Sequence, residues 1–562
     1  MVDAVPWGES VQEHLFRNIV DHSLSATYRS NGWWNDRTVD EVVVGRAVAD
    51  PQGIAYRTSE GSLSWAQLDA SVDTVASSLV AVGIEPGERV AVCMSDTPAL
   101  HIAFLALERI GATIVGMGAK AGRREQHYLL NRTGATTLLT RAGADADEAI
   151  GELRAELGGL RHIALGGPAL GDATRVIVDG VDATASPLGA AAFAQRRMGP
   201  DDLFLINSTS GTTGLPKCVV HTQNRWWYFH QCAERNGALD DNDVFLAAVP
   251  APFGFGLWTS HITPLHLGCA TVLLDRFSAA AAFEAIERHQ VTVLACVSTQ
   301  FLMMLASPEA ENYDLSSLRV MFTGGEAVPY DKARDFERLT GCTTLQFYGS
   351  NETGLLSGTT LGDTPEARLR TAGRVDPNMQ VRLYDNGTEV PLPGRGQPAC
   401  RGPAMSQGYL DDPEANAALY TEDGWMFMGD ICEIDADGFL TVVGRTSDFI
   451  IRGGKNISAP QVEADVMTHP AVAHAAAVAM PDPVFGERVC VYVELVDGAP
   501  VPTLDDVCTH LSKVGASREL FPERLIVLDE LPRSSGAKVA KGDLRTDIRR
   551  RVELEAATHG EV

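Results

Sequence analysis

Ile206–Thr222 reads INSTSGTTGLPKCVVHT. An apolar run, Phe204–Ile206, leads into Ser208, Thr209, Ser210, Gly211, Thr212 and Thr213, and then into Gly214, Pro216 and Lys217. Hydroxyls and unhindered backbone N–H groups are what a polyphosphate needs around it. Glycine lets the backbone approach closely and turn through positive φ. Lys217 adds a point charge. The spacing is not that of the Walker A loop, since GxxxxGK[ST] is absent. Taken alone, the stretch also reads as an ordinary Ser/Thr/Gly surface loop.

The surrounding chain alternates helical and extended patterns. Ser64 and Gln67 form a capping box ahead of a helical stripe, Leu68, Val72, Val75, Ala76 and Leu79, which stops near Gly83. The turn Glu85–Gly87 leads to a buried-strand run, RVAVCM. A further helix is expected from Pro98, and then a strand in GATIVG. The same rhythm returns in TVLL (Thr271–Leu274), AAFEAIERH and VTVLACV. Such alternation predicts α/β layers on largely parallel sheet, with ligands bound in loops beyond the carboxyl ends of the strands.

The texture changes between residues 430 and 460. DADGFLTVVGR reads as a turn at Asp435–Gly438 and a strand, followed by the polar, glycine-bearing RTSDFIIRGGKN. Two longer strand candidates follow, AHAAAVAM and RVCVYVEL, then a helix from Thr503 and a strand in RLIVLDEL. This predicts a small α+β unit of about 115 residues, an ordinary domain size. The boundary is placed near Arg445–Asp448, giving a large α/β N-terminal domain, 1–445, and a small C-terminal domain, 446–562. No internal repeat is apparent.

The whole chain has 562 residues, of which 45% are hydrophobic and 21% charged. That is ordinary globular composition and excludes collagen-like, low-complexity and broadly disordered classes. The formal charge of −27 repels nucleic acid and anionic lipid, so an anionic ligand needs a local site. The ten cysteines are scattered, without a CxxC pair, and read as reduced, mostly buried thiols. The first residues lack a basic segment followed by an apolar one. The nearest approach to a membrane span, Ala99–Gly118, is interrupted by His101, Glu108 and Arg109. A cytosolic protein is the expectation.

Further motifs follow in order: TGGEAV (Thr323–Val328), YGSNETG (Tyr348–Gly354), Gly429–Asp430, GRTSDFIIRGGKNISAPQVE (Gly444–Glu463) and PRSSGAKVAKGDLR (Pro532–Arg545). With TSGTTGLPK, this set resembles the adenylate-forming superfamily of acyl-CoA synthetases, amino-acid adenylation domains and luciferases. The match covers nearly all the chain beyond residue 50. The resemblance implies a large N-terminal domain built from subdomains and a mobile C-terminal lid. It also implies ATP, Mg²⁺ and coenzyme A as cofactors.

By the same resemblance, Thr209, Ser210, Gly211, Thr212, Thr213 and Gly214 hold the nucleotide's phosphates. Gly325 and Glu326 belong to the adenine pocket, with Tyr348 as the aromatic face under adenine. Gly349, Ser350 and Asn351 lie alongside. Glu352 is the Mg²⁺ ligand, consistent with a hard cation shared between carboxylate and phosphate oxygens. Asp430, supported by Arg445, accepts from the ribose hydroxyls. Asp448 is the hinge, and Gly453 and Gly454 line the pantetheine channel. Lys538 bridges the substrate carboxylate and the α-phosphate. The substrate carboxylate is itself the nucleophile, so catalysis by Lys217, Lys538 and Mg²⁺-bound Glu352 is charge neutralisation and positioning. The lid then rotates and a thiol attacks the acyl-adenylate, one lid serving both steps.

Several positions depart from the family pattern. Asn351 stands where Thr is usual, Met428 where TGD has its Thr, Cys218 where Gly follows the loop lysine, and Ala537 where Gly precedes the second lysine. Each lost contact to a charged group is worth roughly 1.5–3 kcal/mol. The first reading is a full acyl-CoA ligase. The second is a variant that thioesterifies a supplied acyl-adenylate but forms one poorly. A degenerate binding protein without turnover is a third.

Val249–Trp258, VPAPFGFGLW, resembles the segment that shapes the acyl pocket in this family, with Phe253, Gly254, Phe255 and Gly324 as its candidate lining. No carboxylate is present to pair an α-ammonium, which disfavours amino acids. A bulky apolar or alicyclic acid is the expectation, and the general run is similar to cyclohexanecarboxylate-type CoA ligases. Trp226, Trp227, Phe229, Phe301 and Met303 are candidates for further apolar wall or for ordinary core. The partners implied are the acid, ATP and CoA. A carrier-protein thiol is the rival acceptor. Neither nucleic acid nor a membrane span is expected, and the oligomeric state is left open, a homodimer among the options.

Overall fold

The computed structural model describes residues 22–119, 121–166, 174–208, 217–325, 328–385, 387–445, 449–452, 455–482, 485–514, 516, 518–533 and 539–559. Contacts divide the chain into two compact units. The larger takes Lys217–Gln380, Cys400–Met426 and the chain up to residue 208; the smaller takes Val381–Ala399 and the chain from Phe427.

The larger unit holds two sheets. In the eight-stranded one, Leu205–Ser208, Thr113–Met117, Arg89–Cys93, Thr137–Arg141 and Arg161–Gly166 run parallel. Cys218–His221 closes one edge antiparallel to Leu205–Ser208. In the nine-stranded sheet, Thr343–Ser350, Val320–Gly324, Val293–Ala295, Val244–Ala247, Ala270–Leu273 and Ile54–Thr58 are parallel neighbours in that order.

Local sequence explains these elements. The Ser64–Gln67 capping box forms both of its bonds, at 3.2 and 3.0 Å, and starts the helix Trp65–Ala81. Gly83 ends the run at φ +85°, a conformation that side chains disfavour. Every residue of the helix Pro98–Arg109 is buried, so it lies between layers and not on the surface. Leu246, Phe283, Ile286, Phe301, Met321 and Phe336 fill the core on one side of the nine-stranded sheet. Each such side chain contributes about 1.5–3 kcal/mol of burial.

The smaller unit also holds two sheets. One is antiparallel, with Asp430–Ile434 paired to Leu440–Arg445 across the expected turn, where Gly438 N donates to Asp435 O at 3.1 Å. The other pairs Val472–Asp482 antiparallel to Gly486–Leu495, the two long strands anticipated from sequence, with Arg524–Leu528 parallel beside them. The strand anticipated over RLIVLDEL is thus shorter than its apolar run. The helix from Thr503 is present as Leu504–Lys513, with its capping box formed. Ser458 Oγ donates to Val443 O at 2.7 Å, tying the first sheet to the start of the helix Ala459–Val466.

The ten cysteines are all free thiols, eight of them buried. Burial pushes the Cys93 and Cys218 thiols up to about 11. Among the described residues, no helix is long and apolar enough to cross a membrane.

Candidate active site

Two of the sequence motifs, TGGEAV and YGSNETG, lie at the carboxyl ends of strands in the nine-stranded sheet, where ligands of parallel sheets bind. Val320–Gly324 and Thr343–Ser350 are in register up to Gly324↔Phe347, so TGGEAV and YGSNETG leave the sheet side by side. A Cβ on Gly324 would stand 2.4 Å from Phe347 O, which explains glycine there. Gly325 follows at φ +81°. Tyr348 is half-buried on the neighbouring strand.

The YGSNETG turn is held by its own side chains. Ser350 Oγ accepts from the N–H groups of Glu352 and Thr353 at 3.2 and 3.0 Å, and Ser350 N donates to Thr353 Oγ1 at 3.1 Å. Gly354 sits at φ +67°, and a Cβ there would lie 2.2 Å from Ala404 O. Asn351 Nδ2 donates to Asn207 Oδ1 at 2.7 Å, an acceptor shared with His221 Nε2 at 2.7 Å. Asn351 O accepts from buried Arg225 at 2.8 Å. Asn351, where the family resemblance expects Thr, therefore ties this turn to the strand Leu205–Ser208 that precedes the Ser/Thr/Gly sequence.

Glu352 and Lys217 meet on one residue that sequence reasoning did not single out. Tyr409 donates its hydroxyl to Glu352 Oε1 at 2.7 Å, and Lys217 Nζ lies 4.8 Å from the centre of its ring. The chain at Gln407–Leu410 runs along Cys218–His221, with Val220 N to Gly408 O at 2.9 Å and Leu410 N to Cys218 O at 2.8 Å. That pairing sets the tyrosine against the loop's exit. Burial, then the Glu352 carboxylate, push the phenol upward, so it stays a donor. Among the described residues, Glu352 Oε2 has no protein partner. A carboxylate with one oxygen committed and one available fits a Mg²⁺ ion completed by phosphate oxygens. The same residues include no group of three His, Cys, Asp or Glu converging as a protein-only cage.

The other departures have structural places. Cys218 pairs with Ser208 at the base of the loop hairpin, and its side chain enters the core with Ala91, Val115 and Val220. Met428 is buried, donating to Pro398 O and accepting from Gln397 Nε2, both at 2.8 Å. Asp430 is paired in register with Arg445. The loop residues Thr209, Ser210, Gly211, Thr212, Thr213 and Gly214, together with Glu326, Asp448, Gly453, Gly454, Ala537 and Lys538, lie outside the described residues.

The expected acyl segment leaves the strand Val244–Ala247 in the same sheet. Phe253 precedes a short helical turn, Gly254–Leu257, which continues into a wider π-helical turn, Trp258–Ile262. Trp258 is buried among Phe229, Phe255, Phe322 and Phe347, with ring centres 5.1–5.4 Å away. A Cβ on Gly254 would lie 3.3 Å from the Trp226 ring and 3.6 Å from Asn351 Oδ1, so that glycine brings the segment against both. Two candidates fall elsewhere. Phe301 is core, 5.7 Å from Phe336, and Met303 is 46% exposed on the opposite side of its helix. Trp227 packs on His266 instead, at 4.9 Å.

These features fit an adenylate-forming enzyme: two sheets with parallel cores and antiparallel edges, a Ser/Thr/Gly sequence between hairpin strands, and a carboxylate turn beside an aromatic-walled segment. Residues 44–410 match the AMP-binding enzyme family, and residues 461–538 match the AMP-binding enzyme C-terminal domain. The chain is 31% identical over 543 residues to the medium-chain fatty-acid–CoA ligase of Escherichia coli, covering 94% of this chain and 93% of that one. It is 30% identical to the 2,3-dihydroxybenzoate-AMP ligase of Bacillus subtilis, covering 93% and 96%. Among solved structures, the amide bond synthetase McbA from Marinactinospora thermotolerans superposes with a TM-score of 0.77 at 26% identity, covering 91% and 99%.

The chain belongs to the AMP-binding enzyme family, within the adenylate-forming superfamily. It is an acid–thiol ligase of the AMP-forming class.

Proposed function

We propose that this ligase activates a bulky apolar or alicyclic carboxylic acid and passes it to CoA. The supporting observation is the aromatic wall: Trp258 amid four phenylalanines, directly after Phe253–Phe255, on a segment that carries no charged side chain from Val249 to Trp258. A charged or strongly polar acyl chain would lose its hydration there without a partner.

Within this reading, Glu352 holds Mg²⁺ on the ATP phosphates. Lys217 and the loop 209–214 take the phosphate charge. Gly325, Glu326 and Tyr348 take adenine, with Gly349, Ser350 and Asn351 beside it. Asp430, with Arg445, takes the ribose. Lys538 brings the carboxylate to the α-phosphorus. The lid turns about Asp448, and Gly453 and Gly454 then admit the pantetheine thiol. The metal supplies charge neutralisation; the chain's own groups bind, orient and exclude water. Asn351 is bonded within the Glu352 turn, Cys218 lies in a core-facing strand and Met428 is buried; full adenylation is the first reading and the half-reaction the second.

A pooled-acid screen with ATP, Mg²⁺ and CoA, read by mass spectrometry, tests the substrate class. Thioesters of bulky apolar acids are expected to dominate. A product pool dominated by short, charged or amino acids overturns the reading.

A further inference from the structure

The aromatic segment is held at both ends by one buried chain of four titratable side chains. At its start, Ala251 N donates to Asp96 Oδ2 at 3.0 Å. Asp96 Oδ1 is 2.8 Å from His101 Nε2, and His101 Nδ1 is 3.2 Å from His261 Nδ1. His261, at the segment's far end, places Nε2 3.5 Å from Glu108 Oε1. Glu108 Oε2 accepts from Asp40 N at 3.2 Å. His101 and Glu108 are two turns apart on the fully buried helix Pro98–Arg109, which spaces them to bracket His261. His101, His261 and Glu108 have no exposed surface, and the Asp96 side chain has 9%. Phe253, Gly254, Phe255 and Trp258 all lie between the two anchor points.

The charges around this chain are themselves accounted for. Arg109 binds Asp40, Asp69 and Asp73, and Arg197 lies 3.1 Å from Asp40. Tyr56 stacks on His101 at 4.6 Å and gives its hydroxyl to Ser260 O. His266 follows on the same segment, and burial lowers both His261 and His266.

Counting protons shows what these contacts demand. The three bonds from Asp96 to Glu108 need three protons, and two neutral imidazoles bring only two. Without the third proton, one contact sets two acceptors face to face in a site closed to water, where an unmatched polar group is costly.

The structure assigns to Asp96, His101, His261 and Glu108 the role of positioning residues: a buried proton-sharing chain that clamps residues 251–261 and so sets the shape of the acyl pocket. This rests on the pocket reading given above. The chain has a signature that simple packing lacks. In Asp96→Asn, the amide oxygen keeps Ala251 N–H and the NH₂ donates to His101 Nε2. Each imidazole then passes its proton along, and His261 Nε2–H meets Glu108, so every bond is satisfied with one proton fewer. In Glu108→Gln, the oxygen keeps Asp40 N–H and the same logic runs in reverse. With both amides, each Nε2 accepts, and two Nδ1–H groups confront each other.

The test combines Asp96→Asn, Glu108→Gln, their double variant and Asp96→Ala, using hydrogen exchange over residues 250–261 and separate KM values for acid and ATP. Each single amide should stay within twofold of the parent in both readouts. The double variant should lose protection and raise the acid KM at least tenfold, with the ATP KM within twofold. Asp96→Ala, which removes both the Ala251 acceptor and the partner of His101 Nε2, should also loosen the segment and raise the acid KM, which keeps the test valid if the double variant fails to fold. A double effect equal to the product of the singles, or unchanged exchange and acid KM in Asp96→Ala, overturns the proposal. Phe253→Ala separates the two readings. If it leaves the acid KM unmoved while exchange follows the pattern above, the pocket reading fails and the clamp stands.

Discussion

The YGSNETG turn and the VPAPFGFG segment leave the same sheet at the carboxyl ends of its parallel strands, and they differ in how much of their support is local. The turn is braced locally by Ser350 and Thr353, three residues apart, and from outside by Asn207 and Arg225 on Asn351. The segment is braced from far away in the chain. Asp96 reaches Ala251 across 155 residues, and His101 reaches His261 across 160. Asn207 Nδ2 adds a bond to Pro252 O at 3.3 Å. The turn adds local bonds of its own to its long-range ones, whereas the segment depends on long-range bonds, and Asn207 joins the two by bonding both Asn351 and Pro252.

Breaking the turn should have the largest effect. Gly354→Ala adds a Cβ that would lie 2.2 Å from Ala404 O at a positive φ, and should destabilise the larger unit by about 3 kcal/mol or more. A shift in urea midpoint checks this. A loss below about 1 kcal/mol would mean that the backbone there yields freely.

Glu352→Gln keeps the shape of the turn and removes its charge. Acid-dependent ATP–pyrophosphate exchange should fall about 100-fold or more, at unchanged thermal midpoint. A change under about threefold would remove Glu352 from the metal's shell.

The acyl side should be the more acid-sensitive. Burial holds His230, stacked at 5.1 Å on His266 just beyond the segment, down to about 4 and puts His266 well below the ordinary histidine value. A histidine depressed in the folded state contributes stability above its unfolded pKa of about 6.5, lost as pH falls. His230 alone should remove about 2 kcal/mol between pH 7.5 and pH 5. Urea midpoints across that range check the slope, and His230→Gln should flatten part of it. A pH-independent midpoint contradicts the assignment.

Tyr409→Phe sharpens the comparison at the smallest scale. It removes the bond to Glu352 while keeping the ring under Lys217, and should cost about tenfold in pyrophosphate exchange, equivalent to one hydrogen bond to a charged group. The loss should appear in the KM for MgATP. An effect on the acid KM alone would move Tyr409 to the other side of the site.

The same contrast explains what could be read from the sequence. The Ser64–Gln67 box, the strands around Lys217 and the turn at Glu352 are short-range events, in which residue type and spacing carry the physics directly. Tyr409 lies 57 residues from the carboxylate it touches, in a stretch whose pattern shows only a buried edge. Its one local signal is Gly408–Tyr409, a positive-φ glycine before an aromatic, which does not name a partner. Phe301 and Met303 stand two apart on one helix, and only packing decides that the first faces inward. Of the four-residue chain behind the acyl segment, only His101 and Glu108 are visible in the sequence, as interruptions of an apolar run, because the chain's meaning depends on two distant helical elements meeting.

The most direct test of the account is to follow both partial reactions with an acid found in the screen. Pyrophosphate release from ATP and that acid, and acyl-CoA formation from its purified adenylate, would be measured on the same enzyme. The account predicts that both proceed, with Glu352→Gln suppressing the first far more than the second. Thioester formation from the supplied adenylate, with no acid-dependent pyrophosphate release from any apolar acid, would contradict it.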